Sequence, residues 1–231
     1  MNNYKAISFD LYNTILEIET DEESAETFDT YSKLLSEKKI FIPPNTLKED
    51  YKNILQETIK TTKQGREIDI KKVFRKIFIK NKVVITGDRV DELIYLFRIA
   101  SRKKIRLKIE LRDFLKELKT CYKLYIVSDA QKYFAFPEIK LFSIDKIFNR
   151  IILSQIIGYK KSSGKLFEYL MKEEHLGKDD IIHIGDDEDS DLQGASKSGI
   201  KCIIIDSVDE VIQAFQSIDY EISRGIERFK D

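Results

Sequence analysis

The chain has 231 residues, of which 42% are hydrophobic and 35% are charged, so it can bury a core and still fold in water. Its 40 basic residues balance 40 acidic ones, which removes the overall positive charge that nucleic acids and anionic membranes attract. We therefore expect neither a nucleic-acid partner nor a membrane, and with only 2 His a His-rich metal site is excluded.

The N-terminus and the cysteines predict a cytoplasmic protein. The chain enters an apolar strand soon after Met1, without the pattern of a signal peptide. No apolar run approaches the roughly 20 residues that a membrane-spanning helix needs. Cys121 and Cys202 lie far apart without metal-ligand spacing, and we interpret both as reduced packing residues.

The first predicted element is a short buried strand at residues 6–9, Ala-Ile-Ser-Phe. It ends at Asp10, and residues 11–14 follow as a loop. A carboxylate at the end of a buried strand lies where open α/β sheets carry their chemistry. On this stretch alone, Asp10 could equally well cap a turn.

Residues 17–106 carry apolar side chains at helical spacing and show few strand signals. Four amphipathic helices are predicted, with apolar faces at residues 25–35, 47–59, 70–78 and 90–97. Four such helices in succession form a small bundle.

From residue 105 onward, predicted helices and strands alternate. The predicted strands lie at residues 123–127, 147–153, 181–184 and 202–205, and the helices at 111–119, 166–171 and 192–198. This alternation predicts a parallel sheet with helices on both faces, which the strand at residues 6–9 must join to be buried. We predict a Rossmann-like α/β core at residues 1–16 and 107–231, with a four-helix cap domain inserted at residues 17–106.

Polar groups follow the ends of the predicted strands at four places. They are the segment from Asp10 to Thr14, then Ser128, then Lys161, and finally the acidic run at residues 186–191. In a parallel sheet these groups share one edge. Carboxylates packed together at neutral pH need a cation or must take up protons, and oxygen ligands suit Mg²⁺.

These groups suit phosphoryl transfer, which requires a carboxylate nucleophile, a dication and an ammonium ion. Lys161 and the hydroxyls of Thr14 and Ser128 would donate to the oxygens of an anion. The alternative for residues 186–191 is a solvated acidic loop, which the Gly185-Asp186 pair after an apolar strand disfavours.

The chain resembles the haloacid dehalogenase-like hydrolase superfamily, in the branch whose helical cap is inserted after the first strand. Residues 10–14, Asp-Leu-Tyr-Asn-Thr, resemble its first motif, Asp-x-Asp-x-Thr, whose first Asp is the nucleophile. Ser128 matches the hydroxyl of the second motif, and Lys161 matches the lysine of the third. Residues 185–195, with Gly-Asp at their start, resemble the fourth.

The resemblance implies both a metal site and catalytic roles. Mg²⁺ would bind to Asp10, to the backbone carbonyl of Tyr12 and to Asp186, with Asp191 supporting through water or a hydrogen bond. Asp10, Tyr12, Thr14, Ser128 and Lys161 are the candidate catalytic residues, with Asp10 as the nucleophile.

Tyr12 departs from the phosphatase pattern. Family phosphatases carry a second Asp here, which protonates the leaving oxygen and activates water, and losing such a group costs about 10²- to 10⁴-fold in rate. Family haloacid dehalogenases have Tyr at this position, but they use no metal and their fourth motif is less acidic. A tyrosine with a pKa of about 10 is a poor base at neutral pH.

We therefore favour a Mg²⁺-dependent phosphohydrolase that acts on a small phosphorylated metabolite through an aspartyl-enzyme intermediate at Asp10. One alternative is a dehalogenase-like or phosphonatase-like C–X hydrolase, since a family phosphonatase lacks the second Asp yet keeps Mg²⁺. The other is a weakly active or non-catalytic metal- or phosphate-binding protein. His183, inside a strand, is interpreted as a core residue rather than a ligand.

Overall fold

The computed structural model describes residues 4–87 and 89–216. Its strands are β1 (Ala6–Phe9), β2 (Glu17–Thr20), β3 (Arg102–Arg106), β4 (Lys123–Ser128), β5 (Arg150–Leu153), β6 (Ile181–Gly185) and β7 (Lys201–Ile204). Five of them form a parallel sheet in the order β5-β4-β1-β6-β7. The predicted Rossmann-like sheet is confirmed, with β1 at its centre.

Helices cover both faces of this sheet. The helices are α1 (Ala25–Glu37), α2 (Pro44–Thr61), α3 (Ile70–Lys80), α4 (Arg89–Ser101), α5 (Ile109–Cys121), α6 (Lys132–Leu141), α7 (Ser154–Ile157), α8 (Lys165–Glu174) and α9 (Gln193–Lys197). Because side chains alternate along a strand, Leu124 and Ile126 of β4 pack in one cluster with α5, whereas Tyr125 and Val127 pack with α8. Each face of the sheet therefore has its own apolar layer.

The insert between β1 and β4 contains the four predicted helices, α1 to α4, around one apolar cluster. Aromatic rings dominate this cluster, with Phe74 and Phe97 at its centre. Tyr133 and Phe134 of α6 join the same cluster, so they are packing residues that connect the insert with the α/β part.

The helical pattern expected for residues 17–106 does not extend to either end of this segment. Strands β2 and β3 pair antiparallel there and form a two-stranded ribbon through which the chain enters and leaves the insert. The sequence gives only a weak signal for this ribbon, because its strands are short and mostly charged, with Lys104 and Arg106 bound to Glu17 and a single isoleucine in each strand. The domain boundaries at residues 16/17 and 106/107 remain our proposal, and residues 1–3, 88 and 217–231 lie outside the described residues.

Other differences from the sequence-based prediction are local. Strand β5 is shorter than the predicted segment at residues 147–153, and α6 and α7 were not predicted. Residues 188–192 form a π-helical turn ahead of α9. Within the described ranges, no helix combines the length and apolarity that crossing a membrane requires.

The aromatic cluster of the insert predicts a large difference between two phenylalanines. Phe74 is 1% exposed and contacts four other rings, whereas Phe41 is 78% exposed. Urea denaturation should show that Phe74→Ala lowers the free energy of unfolding by about 3–5 kcal/mol. The matched control, Phe41→Ala, should change it by less than about 0.5 kcal/mol. Equal losses in the two variants would contradict the packing described here.

Candidate active site

The polar strand ends meet at the carboxyl edge of the sheet. Strand β1 lies between β4 and β6, and Phe9 pairs with Ile126 on one side and Ile184 on the other. Asp10, which follows Phe9, therefore lies between the end of β4, at Ser128, and Asp186, which follows β6. The expectation that these groups share one edge is confirmed.

A buried ion pair joins Asp10 to Lys161. Lys161 Nζ donates to Asp10 Oδ1 at 2.7 Å, and the lysine is 2% exposed. Burial would lower the pKa of Lys161, but the carboxylates of Asp10 and Asp191 more than reverse this, so it remains an ammonium ion. Burial raises the pKa of Asp10, although the Lys161 ammonium and the Ser128 hydroxyl oppose this shift.

The backbone around Lys161 is held in place by neighbouring loops. Its amide donates to Asp129 Oδ1 at 2.6 Å, and Ser190 Oγ donates to the other oxygen of Asp129 at 3.0 Å. Gly194 packs against the Lys161 carbonyl so closely that an added Cβ would lie 2.2 Å from the oxygen. The second, third and fourth motif segments are thus locked together around the lysine.

Asp191 is fully buried behind this pair and has both oxygens engaged. Oδ1 contacts Lys161 Nζ and lies 2.6 Å from His183 Nε2, and the Asp187 amide donates to Oδ2 at 3.1 Å. Burial alone would raise the pKa of Asp191, but the His183 hydrogen bond and the Lys161 ammonium lower it below its usual range. Gly185 has no room for a side chain, because a Cβ would lie 2.2 Å from Asp191 Cγ.

His183 is a core residue, as expected, and it is also the partner of Asp191. Its Nδ1 lies 2.9 Å from Ser8 Oγ, and the Phe167 ring packs edge-on at 4.8 Å between centroids. A polar side chain in the fully buried strand β6 requires hydrogen-bond partners, which is the signal that could have indicated this role. The identity of those partners is visible only in the fold.

Asp186 completes a group of three carboxylates. Thr14 Oγ1 donates to Asp186 Oδ1 at 3.1 Å, so in this structure the Thr14 hydroxyl is committed to that carboxylate. Burial, together with the Asp10 carboxylate, raises the pKa of Asp186 to about 6. One oxygen each from Asp10, Asp186 and Asp191 lies within 4.8 Å of the others. Lys161 alone does not balance three carboxylates, and this oxygen donor set suits a hard dication such as Mg²⁺.

The Tyr12 side chain contacts the insert and α6. Its hydroxyl donates to Glu138 Oε2 at 2.5 Å, and the Arg98 guanidinium lies 5.0 Å above its ring. Glu138 is fully buried and accepts from Arg98 Nε and from Arg102 Nη1, each at 3.0 Å. Burial and the Glu138 carboxylate raise the pKa of Tyr12 well above its usual value, so the phenol stays protonated.

Comparison with known proteins identifies the family of this chain. Residues 7–205 match the family described as haloacid dehalogenase-like hydrolase. A curated relative, glyceraldehyde 3-phosphate phosphatase of Pyrococcus abyssi, is 28% identical over 109 residues, which are 47% of this chain and 42% of the relative. This chain thus aligns with less than half the length of that relative.

Solved structures share the fold at lower identity. A HAD phosphatase from Thermococcus onnurineus has a TM-score of 0.56 and 21% identity, over 87% of this chain and 86% of that chain. A 2-haloacid dehalogenase from Pseudomonas syringae pv. Tomato has a TM-score of 0.63 and 16% identity, over 93% of this chain and 99% of that chain. The fold therefore accommodates both reactions, and the side chains of the site must decide between them.

The contact between His183 and Asp191 predicts strong coupling between these residues. A double-mutant cycle with His183→Asn and Asp191→Asn, measured by urea denaturation, should give a coupling free energy of about 1–3 kcal/mol. His183→Gln is the matched control, because its longer amide can still donate to Asp191 and should cost less than His183→Asn. Additive effects in the cycle would show that the contact does not stabilise the site.

Proposed function

The chain belongs to the haloacid dehalogenase-like hydrolase family, and we propose that it is a Mg²⁺-dependent phosphohydrolase acting on a small phosphorylated molecule. The observation that carries the proposal is the buried Lys161 ammonium, 2.7 Å from Asp10 within a group of three carboxylates. A nucleophilic carboxylate beside an ammonium ion, with excess negative charge for a dication, suits phosphoryl transfer.

Two of the three carboxylates suit direct metal binding. Asp10 and Asp186 use Oδ1 in the contacts above, and we propose that their Oδ2 atoms and the Tyr12 carbonyl would hold Mg²⁺. Both oxygens of Asp191 are engaged, which supports an indirect role for it. When bound, the ion would supply positive charge that offsets the negative charge of the phosphoryl group.

The reaction then follows from the placement of the side chains. An oxygen of Asp10 attacks phosphorus, the bond from phosphorus to the leaving oxygen breaks, and the leaving group departs with its electron pair. Lys161 and the Ser128 hydroxyl orient the attacking carboxylate and donate to the transferring oxygens. Water then attacks phosphorus in the aspartyl-phosphate, which releases inorganic phosphate and restores Asp10.

Tyr12 limits which leaving groups are accepted. Because its pKa is raised, Tyr12 does not act as a base at neutral pH. Its hydroxyl donates its proton in the hydrogen bond to Glu138, so it does not protonate a leaving group. Aryl and acyl phosphates, whose leaving groups are stable anions, should therefore react faster than alkyl phosphates. Slow attack of water should let the aspartyl-phosphate accumulate.

Tyr12 also favours a second candidate, a C–X hydrolase of the dehalogenase or phosphonatase kind. A 2-haloacid, however, would bring its carboxylate to Asp10, Asp186 and Asp191, with one ammonium ion among them. This charge balance, together with the phosphatase activity of the curated relative, supports the phosphohydrolase.

The proposed metal site predicts that Asp186→Asn abolishes stabilisation by Mg²⁺. The substitution keeps the shape of the side chain and removes the charge that attracts the ion. Thermal unfolding with and without Mg²⁺ should show a rise in Tm for the wild type and none for the variant. Glu188→Gln, which removes an exposed acid from the same loop, is the control and should respond like the wild type. A variant Asp186→Asn that retains wild-type affinity for Mg²⁺ would place the ion elsewhere.

The absence of an acid–base group at position 12 predicts that introducing one raises the turnover of an alkyl phosphate. Tyr12→Asp should exceed its isosteric control Tyr12→Asn by up to about 10²-fold in turnover of an alkyl phosphate, because only Asp can transfer a proton. On an aryl phosphate the difference between the two variants should be smaller, because there only the attack of water, and not the departure of the leaving group, needs the acid–base group. Steady-state kinetics with one substrate of each kind tests this, and equal rates of the two variants on the alkyl phosphate would refute it.

A further inference from the structure

The carboxylate of Glu138, in α6, joins three segments of the chain. It accepts a hydrogen bond from the Tyr12 hydroxyl, in the loop after β1, and from two arginines of the insert, Arg98 of α4 and Arg102 of β3. The Glu138 side chain has no exposed surface. Because an uncompensated buried charge is costly, this carboxylate and its three donors form one fixed arrangement.

The Arg98 guanidinium contacts aromatic rings as well as carboxylates. Its Cζ lies 5.0 Å from the centre of the Tyr12 ring and 5.0 Å from the centre of the Phe134 ring, within the range of cation–π contacts. Arg98 Nη1 also lies 3.7 Å from Glu22 Oε1, in the segment that leads into the insert. The position of the Tyr12 ring is therefore set by residues that lie outside its own loop.

The backbone of this loop forms a tight turn around residue 12. The Asn13 amide donates to the Leu16 carbonyl at 2.7 Å, and the Leu16 amide donates to the Leu11 carbonyl at 2.8 Å. Asn13 has a φ angle of 57°, in the left-handed region. Among the described residues, no backbone amide donates to the Tyr12 carbonyl, the group proposed above to bind Mg²⁺. The direction of this carbonyl therefore depends on how residue 12 as a whole is held, including its side chain.

The two oxygens of Glu138 have different partners. Both arginines donate to Oε1, whereas the Tyr12 hydroxyl donates to Oε2. Guanidinium groups are always protonated, so they compensate the charge of this carboxylate without a metal ion. Glu138 is therefore suited to hold the Tyr12 hydroxyl and not to bind a metal ion itself.

We propose that Glu138 is a positioning residue for the metal site and that it acts through Tyr12. By holding the Tyr12 hydroxyl, Glu138 fixes the orientation of residue 12 and with it the carbonyl that would bind the ion. Replacing a residue that orients a metal ligand typically weakens metal binding or activity about 10- to 100-fold. This role rests on the proposed phosphohydrolase function, which supplies the metal site.

The test measures the Kd of Mg²⁺ by isothermal titration calorimetry. Tyr12→Phe removes only the hydroxyl that Glu138 holds, and it should raise this Kd about 10-fold. Glu138→Gln should raise it as well, because the two arginines compete with Tyr12 for the single oxygen of the amide. The double variant should bind Mg²⁺ about as weakly as Tyr12→Phe alone, since Glu138 acts through that hydroxyl. If Glu138→Gln does not fold, Tyr12→Phe still decides the question.

Tyr51→Phe is the matched control. Tyr51 is also a buried tyrosine whose hydroxyl donates to a glutamate, Glu22 Oε2, at 2.9 Å. Its ring contacts and this hydrogen bond lie within the insert. Thermal unfolding without Mg²⁺ should show a lower Tm for Tyr51→Phe, as for Tyr12→Phe, because both lose a hydrogen bond. The Kd of Mg²⁺ should not change in Tyr51→Phe.

The outcomes separate the positioning role from the metal site itself. A wild-type Kd in Tyr12→Phe overturns the role of Glu138 and leaves the metal site intact. An equal rise of Kd in Tyr51→Phe also overturns it, because a general loss of stability would then weaken binding. Additive effects in the double variant would show that Glu138 does not act through Tyr12. If the wild type does not bind Mg²⁺, the proposed metal site fails, and the positioning role fails with it.

Discussion

The candidate site depends on a buried ammonium ion, Lys161, held between the carboxylates of Asp10 and Asp191. Burying charges is costly unless partners and hydrogen bonds compensate them, and removing one partner leaves the others uncompensated. The residues around Lys161 provide these partners and hydrogen bonds. Asp129 fixes the backbone of the lysine, and His183 holds the far side of Asp191. The excess of carboxylates that remains is what makes a dication a fitting addition.

The Tyr12 side chain connects the insert directly to the loop that contains Asp10. In the resembling phosphatases this position carries an acid–base group, whereas here the side chain binds to Glu138, which also binds to two arginines at the end of the insert. The side chain at position 12 therefore joins the loop that contains Asp10 to the insert and α6. In the proposed reaction, the same contact would favour leaving groups that need no proton.

The sequence predicts the sheet and the shared edge of the site, because buried strands are apolar and parallel strands end at one edge. It does not predict the ribbon of β2 and β3, whose short, mostly charged strands contain only one isoleucine each. The Tyr12–Glu138 contact spans 126 positions in the chain, and nothing local marks either residue as the partner of the other. The role of His183 is hidden for the same reason, since only the fold brings Asp191 to its ring.

The proposed reaction depends on a covalent bond between Asp10 and phosphorus. The most direct measurement is peptide mass spectrometry after acid quenching of the protein with an acyl phosphate and Mg²⁺. One phosphoryl group is expected on the peptide that contains Asp10, and none in Asp10→Asn. Release of phosphate while Asp10 remains unmodified would refute this mechanism. So would hydrolysis of a 2-haloacid in isotopically labelled water that leaves solvent oxygen in the Asp10 carboxylate.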